Sequence, residues 1–208
     1  MSGAAEVIDA GGRTSGGAGH VVWLLRAEAG KLLTLPSLWT TALLTWAVTA
    51  LLRLVELPGS VLVHTQAGFL VLGVLAAVQE HDRGGQIRAT LLAMPRRLPL
   101  ILSKVVVLVL FTVPIAGLVA VTAGEPGGAG YLVLVTLAAS GIGVVVRNGV
   151  GAAGTALGAY LVAVPLVSAA LPDGAFWLPD APRFEPAAVM WTLTALGIAV
   201  VVFRFRDA

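Results

Sequence analysis

Six stretches of this chain contain no Asp, Glu, Lys or Arg: residues 32–52, 57–79, 105–124, 126–146, 148–172 and 186–203. A helix needs about 20 mostly apolar residues to cross roughly 30 Å of hydrocarbon, and each stretch is close to that length. Inside the bilayer, backbone groups have no water to bond, so such runs cross as helices with closed internal hydrogen bonding. The pattern predicts an all-α integral membrane protein with six transmembrane helices. Of its 208 residues, 58% are hydrophobic and 12% are charged. The spans and their connections therefore use almost all of the length, leaving no room for a separate soluble domain. Residues 1–19, rich in Gly, Ala and Ser and without the apolar core of a secretory signal, read as a disordered cytoplasmic tail. Residues 20–208 form the membrane domain.

Charge placement sets an expected orientation. With the N-terminus inside, the cytoplasmic segments hold Arg13, Arg26, Lys31, Arg83, Arg88, Arg96, Arg97, Lys104, Arg147, Arg204 and Arg206, whereas the outer ones hold only Arg53 and Arg183. This asymmetry puts both termini in the cytoplasm of a cell-membrane protein. It also explains the basic residues better than nucleic-acid binding would, since the net charge is only +2. Cysteine is absent, which excludes disulfides and thiolate metal sites. Ion-coupled transport by this chain alone is disfavoured, because proton relays need ionisable groups within the membrane.

Most of the remaining charge lies in 80–104, EHDRGGQIRATLLAMPRRLPLILSK. A helix over 86–94 would align Ile87, Leu91 and Met94, set Arg88 to a flank and Thr90 opposite, and end at Pro95. Preceded by Gly84 and Gly85 and followed by Arg96 and Arg97, it reads as a docking element for a soluble partner or as an anchor at the lipid surface. Upstream, 20–35 (HVVWLLRAEAGKLLTL) is a second amphipathic helix, with Val21, Leu25, Leu32 and Leu35 on one face and Glu28 near its centre. If buried, Glu28 needs a cation. Lys31 is in reach along the helix, and Arg88, Arg96 and Arg97 are candidates from the next cytoplasmic segment; a solvated carboxylate at headgroup level is the alternative.

Two segments, Arg26-Ala-Glu28-Ala-Gly-Lys31-Leu with Ser37 and Trp39, and Glu80 through Gly85-Gln-Ile-Arg88-Ala-Thr-Leu-Leu-Ala-Met-Pro95-Arg96-Arg97 with Lys104, together resemble the membrane subunits of the ABC transporter type-2 permease family. The resemblance implies an N-terminal helix along the inner membrane face and a coupling helix at 85–95 seated on a separate ATPase subunit. It further implies a pair of permease subunits, homo- or heterodimeric, exporting drugs, peptides, lipids or polysaccharides by alternating access. ATP and Mg would be used by the partner; this chain would bind no cofactor. The family often places short re-entrant helices between the last two spans, whereas here Phe176 and Trp177 sit in a short connection and read either as a remnant that caps the exit path or, the commoner use, as interfacial anchors.

The chain has no G-x-x-x-x-G-K-[ST] loop and no H-E-x-x-H or G-x-S-x-G motif. It is therefore not expected to be an enzyme, and no metal is expected. Glu80, His81 and Asp82 read as a polar boundary, because adjacent helical residues point apart. Gly154 and Gly158 form a small-xxx-small pair that serves either a close contact with another helix or subunit, or ordinary packing within the chain, the commoner use. Pro114 and Pro165 are candidate kinks. Thr41, Thr45, Thr49, Ser140 and Thr155 either line a polar path or bond their own backbone. Trp46 and Trp191 are more commonly packing residues than ligand contacts. The rival to an exporter subunit is a non-transporting immunity or assembly protein that binds a partner or peptide. A six-span lipid-modifying or proteolytic enzyme would need polar catalytic groups that the spans lack.

Overall fold

A computed structural model describes residues 16–56, 58–82, 97–171, 178–179 and 185–206. Among them the secondary structure is helical throughout. The helices are α1 (Gly16–Leu33), α2 (Pro36–Leu54), α3 (Val61–Asp82), α4 (Arg97–Ala123), α5 (Ala129–Val146), α6 (Gly149–Ala170) and α7 (Pro186–Arg206). Helices α2 to α6 supply five stretches long and apolar enough to cross a membrane, and the described apolar part of α7, Pro186–Val202, is shorter. Helix α1 opens at Gly16, inside the stretch read from the sequence as tail, and residues 1–15 lie outside the described set.

The boundaries follow from local chemistry. Leu35 is extended (φ −87°, ψ 108°) because a residue before proline disfavours helix, and Pro36 then starts α2 at a position where its missing amide costs nothing. For this reason α1 stops at Leu33 and the first span begins later than residue 32. Trp39 Nε1 donates to the orphan carbonyl of Leu33 at 2.9 Å, and its ring meets Phe111 edge-on with centroids 5.4 Å apart, fixing the α1–α2 corner against α4. At the other end of the bundle, Glu125 accepts from Ser60 Oγ (2.7 and 2.9 Å) and from the Val61 amide (3.0 Å), capping α3 from the α4–α5 turn. Between α5 and α6, Arg147 takes a left-handed conformation (φ 58°) and Asn148 caps α6 by accepting from the Gly151 amide at 2.9 Å.

Helix α5 is the hub, packed against α3, α4, α6 and α7, and it is buried almost continuously from Val135 to Gly141. Its registry against α3 is set by small residues. A Cβ on Gly73 would run into the Thr136 carbonyl oxygen, and one on Gly143 would come within 2.8 Å of the Ala77 methyl. On the α7 side, a Cβ on Gly141 would lie 2.9 Å from the Ala195 backbone. Tyr131 Oη donates to Gln66 Oε1 at 2.6 Å, adding a polar tie between α3 and α5.

The prolines behave differently. Pro114 lies inside an uninterrupted α4, whereas Pro165 follows a π-helical segment, Gly158–Ala163, within α6. Proline offers no amide to the preceding turn, and widening that turn is one way a helix absorbs the loss.

Gly73→Ala should lower the unfolding midpoint of the purified protein in detergent, by the equivalent of about 1–3 kcal/mol for overpacking. Gly154→Ala, where the added methyl meets nothing within 4 Å, should change it by less than about 0.5 kcal/mol.

Candidate functional site

The helix α1 does not lie apart from the bundle. It leans on α4, and a cavity of about 290 Å³ opens between α1, α3, α4, α5 and α7. The cavity wall is largely apolar, with Leu32, Ala76, Leu108, Val144, Leu196 and Ala199 contributed by the five helices. Its polar lining includes Glu28, Lys31, Gln79 and Lys104.

Glu28 is the charged residue buried among the described residues, with 6% of its surface exposed. It faces inward because it shares the side of α1 that carries Leu32, so the break in the amphipathic pattern marks an inward-facing carboxylate. Lys31 Nζ donates to Oε1 at 2.8 Å and Lys104 Nζ donates to Oε2 at 3.3 Å. Burial pushes the carboxyl up, but the neighbouring charge of Lys104, followed by the hydrogen bond and charge of Lys31, outweighs it and holds Glu28 below the usual glutamate value. A solvated surface carboxylate is thus not what Glu28 is. Lys31 is the partner expected from helical spacing. Lys104, from the start of the third span, was missed because the arginines of 88–97 are nearer in sequence to the expected docking element. Spacing within α1 could identify Lys31; nothing in the linear sequence brings Lys104 across from α4.

Close to this cluster, Gln79 Nε2 donates to Ser37 Oγ, which ties the end of α3 to the start of α2. The Gln79 Oε1 is buried and accepts nothing among the described residues.

The expected coupling residues Gly85, Ile87, Arg88, Thr90, Leu91, Met94, Pro95 and Arg96 lie outside the described residues, as do Phe176 and Trp177. Arg97 is described only as the first backbone position of α4. Arg26 is exposed on α1. Gly154 and Gly158 have open space where a Cβ would project, so packing within the chain is not what they provide. Thr41, Thr45, Thr49 and Thr155 donate to carbonyls one turn back and Ser140 donates to Leu137, so these hydroxyls bond their own helices; Thr49 also lies 3.1 Å from Thr65 Oγ1 on α3, and Ser140 lines the cavity beside α1. Trp46 and Trp191 are both exposed, and Trp46 donates to Thr122 Oγ1 at 3.2 Å. No group of three or more metal-ligating side chains occurs among the described residues.

By length and composition this is an all-α, multi-pass membrane protein. No family model, curated protein or solved structure matches the chain.

Removing Lys104 leaves a buried carboxylate with one fewer cation, whereas removing the carboxylate leaves two half-buried lysines that can turn toward solvent. Lys104→Met should therefore destabilise the detergent-purified protein more than Glu28→Gln, by about 1–3 kcal/mol, between the values for exposed and buried pairs. The double variant should recover part of the loss. Because the folded-state pKa of Glu28 is lowered, its contribution is present above the ordinary glutamate value and is lost as pH falls through the folded one. The protection factor of the α1 amides in hydrogen exchange should thus hold above the ordinary glutamate value and fall only as pH drops below it, and Glu28→Gln should remove that dependence.

Proposed function

We propose that this chain is the membrane permease subunit of an exporter driven by a separate ATPase, moving an amphiphilic or hydrophobic substrate by alternating access. In this reading α2 to α7 are six spans, both termini are cytoplasmic, and 85–95 is the coupling element. The permease works as a pair, with a second copy or a related subunit.

The observation that carries the proposal is the Glu28–Lys104 ion pair. Resemblance to the permease family rests on two separated segments, one in α1 and one ending at Lys104. The ion pair joins them physically, so displacement of the segment before α4 is transmitted to α1 and to the cavity between them. A purely topological role for the basic residues gives no reason for a buried carboxylate to be shared between α1 and α4. The open face at Gly154 and Gly158 supports a helix contact outside the chain, as a paired permease requires.

The test is purification of the tagged chain from its native membrane in mild detergent. A P-loop ATPase should co-purify, and replacing Arg88 and Leu91 should remove it without loss of membrane insertion. Glu28→Gln should retain the ATPase but weaken the coupling of hydrolysis to substrate movement. Reproducible purification without an ATPase would favour the immunity or assembly reading. Reporter fusions should place 80–104 in the cytoplasm and 171–185 outside; the reverse would remove the docking argument.

A further inference from the structure

The cavity beside α1 has an interior and an edge. Val107, Leu108, Ser140 and Ala199 line it and are buried, whereas Leu102 is exposed and Lys31 and Lys104 are half-exposed. Its volume of about 290 Å³ is close to twice the roughly 150 Å³ at which an apolar cavity stays dry and accepts benzene. Water is a poor occupant for most of it, because a buried water needs two to four polar partners and most of the wall is made of side chains such as Leu32, Ala76, Val144 and Leu196.

The charges on the wall are already matched. Both carboxylate oxygens of Glu28 accept from an ammonium group, Lys31 Nζ at 2.8 Å and Lys104 Nζ at 3.3 Å, and both lysines have further interactions. A charged ligand would have to break into this cluster or lie unpaired against the apolar wall, and a buried charge without a partner is costly. The wall therefore selects a neutral occupant. Its uncharged polar groups set what that occupant carries. Ser140 Oγ spends its hydrogen on the Leu137 carbonyl at 2.7 Å, and Gln79 Nε2 donates to Ser37 Oγ. Each is left with an acceptor: the lone pairs of the Ser140 hydroxyl, and Gln79 Oε1, which is buried and has no donor among the described residues.

We infer that this cavity is a binding site for a neutral, largely apolar molecule of about two-ring size that carries a hydroxyl or N–H donor. The apolar body fills the space between α1 and the bundle, and the donor meets Ser140 or Gln79. The site is complete within a single chain and does not rest on the permease reading, since binding needs neither an ATPase nor transport.

The experiment uses the full chain in mild detergent, with naphthylmethanol bearing a diazirine as the photoprobe. After irradiation, labelled residues are mapped by mass spectrometry, and label at the exposed Leu110 and Val121 reports the probe dissolved in the micelle. Label should concentrate at Leu108, Val144 and Leu196. With competitors compared at equal micellar concentration, unmodified naphthylmethanol should displace that label several-fold better than naphthoate, naphthylmethylammonium or the naphthylmethyl methyl ether, which lacks the donor. Added phospholipid should leave it unchanged. Ala76→Phe, which takes up cavity space, should remove the cavity label and spare that at Leu110 and Val121. Because this variant risks misfolding, two milder ones provide separate tests. Ser140→Ala should keep the cavity label while the advantage of the alcohol over the ether falls. Glu28→Gln, which takes a negative charge off the wall, should make naphthoate a several-fold better competitor. Label confined to Leu110 and Val121 in the unaltered chain, or equal competition by the charged compounds, would overturn the assignment. Displacement by added phospholipid would overturn it too, giving the space to an acyl chain.

Discussion

In a hydrocarbon solvent, moving an apolar side chain from lipid to a protein interior gains little, so helices associate by the closeness of their contact and by the polar groups they share. The bundle depends on this constraint at α5. Gly73 and Gly143 bring α3 and α5 to a spacing that a methyl group would block, and Gly141 does the same toward α7. The close approach lets one helix be buried on nearly every side, and α3, α4, α6 and α7 take their positions from it. The polar ties are few and are placed across helices: Tyr131 to Gln66, Thr49 to Thr65 at 3.1 Å, and Gln79 to Ser37.

Packing is uneven around this hub. Helix α6 touches α3 and α5 through its first part, where Ala152 and Ala156 are buried; its π-helical and final segments bury no residue. Helix α1, by contrast, adds charge to the apolar contact of Leu32. Its inward carboxylate is matched by a lysine of its own and one from α4, so its position depends on ion pairing where α5 depends on steric fit. The cavity occurs at the boundary between these two modes. The lysines that neutralise Glu28 bracket its polar end, and the side chains behind them are too small to fill the remaining space.

Five of the six expected spans were legible because a run without charge has one physical explanation at this length, and their ends moved by only a few residues; the sixth, 186–203, corresponds to a shorter apolar helix, Pro186–Val202. Pro36 accounts for the delayed start of α2, and Asn148 for the start of α6. The amphipathic helix before the first span was legible too, but the meaning of Glu28 was not. A carboxylate on an apolar face reads equally as a solvated interruption or a buried ion until the partner from α4 is placed beside it. Glycine spacing misled in the opposite direction. The pair matching a familiar motif, Gly154 and Gly158, faces open space, while Gly68, Gly73, Gly141 and Gly143 make the close approaches. A motif on one helix contains no information about which face meets another, and that relation is settled only by the tertiary fold. The expected coupling residues, Gly85 to Arg96, lie outside the described set, so their role rests on the sequence resemblance.

Lys104 lies seven residues into α4, roughly 10 Å along the axis from Arg97 at 1.5 Å per residue. A helix is stiff over that distance, so movement imposed where α4 begins arrives at Lys104 with little loss and is delivered to α1 through Glu28. The same movement alters the cavity, because its walls include Leu32 on one side of the junction and Leu108 on the other. Occupancy of the cavity and the α1–α4 spacing are then linked quantities. Whatever changes one must change the other, by the same free energy in both directions. In the permease reading, this reciprocity couples the contents of the cavity to movement of the segment before α4, through the same lysine that helps to hold α1 in place.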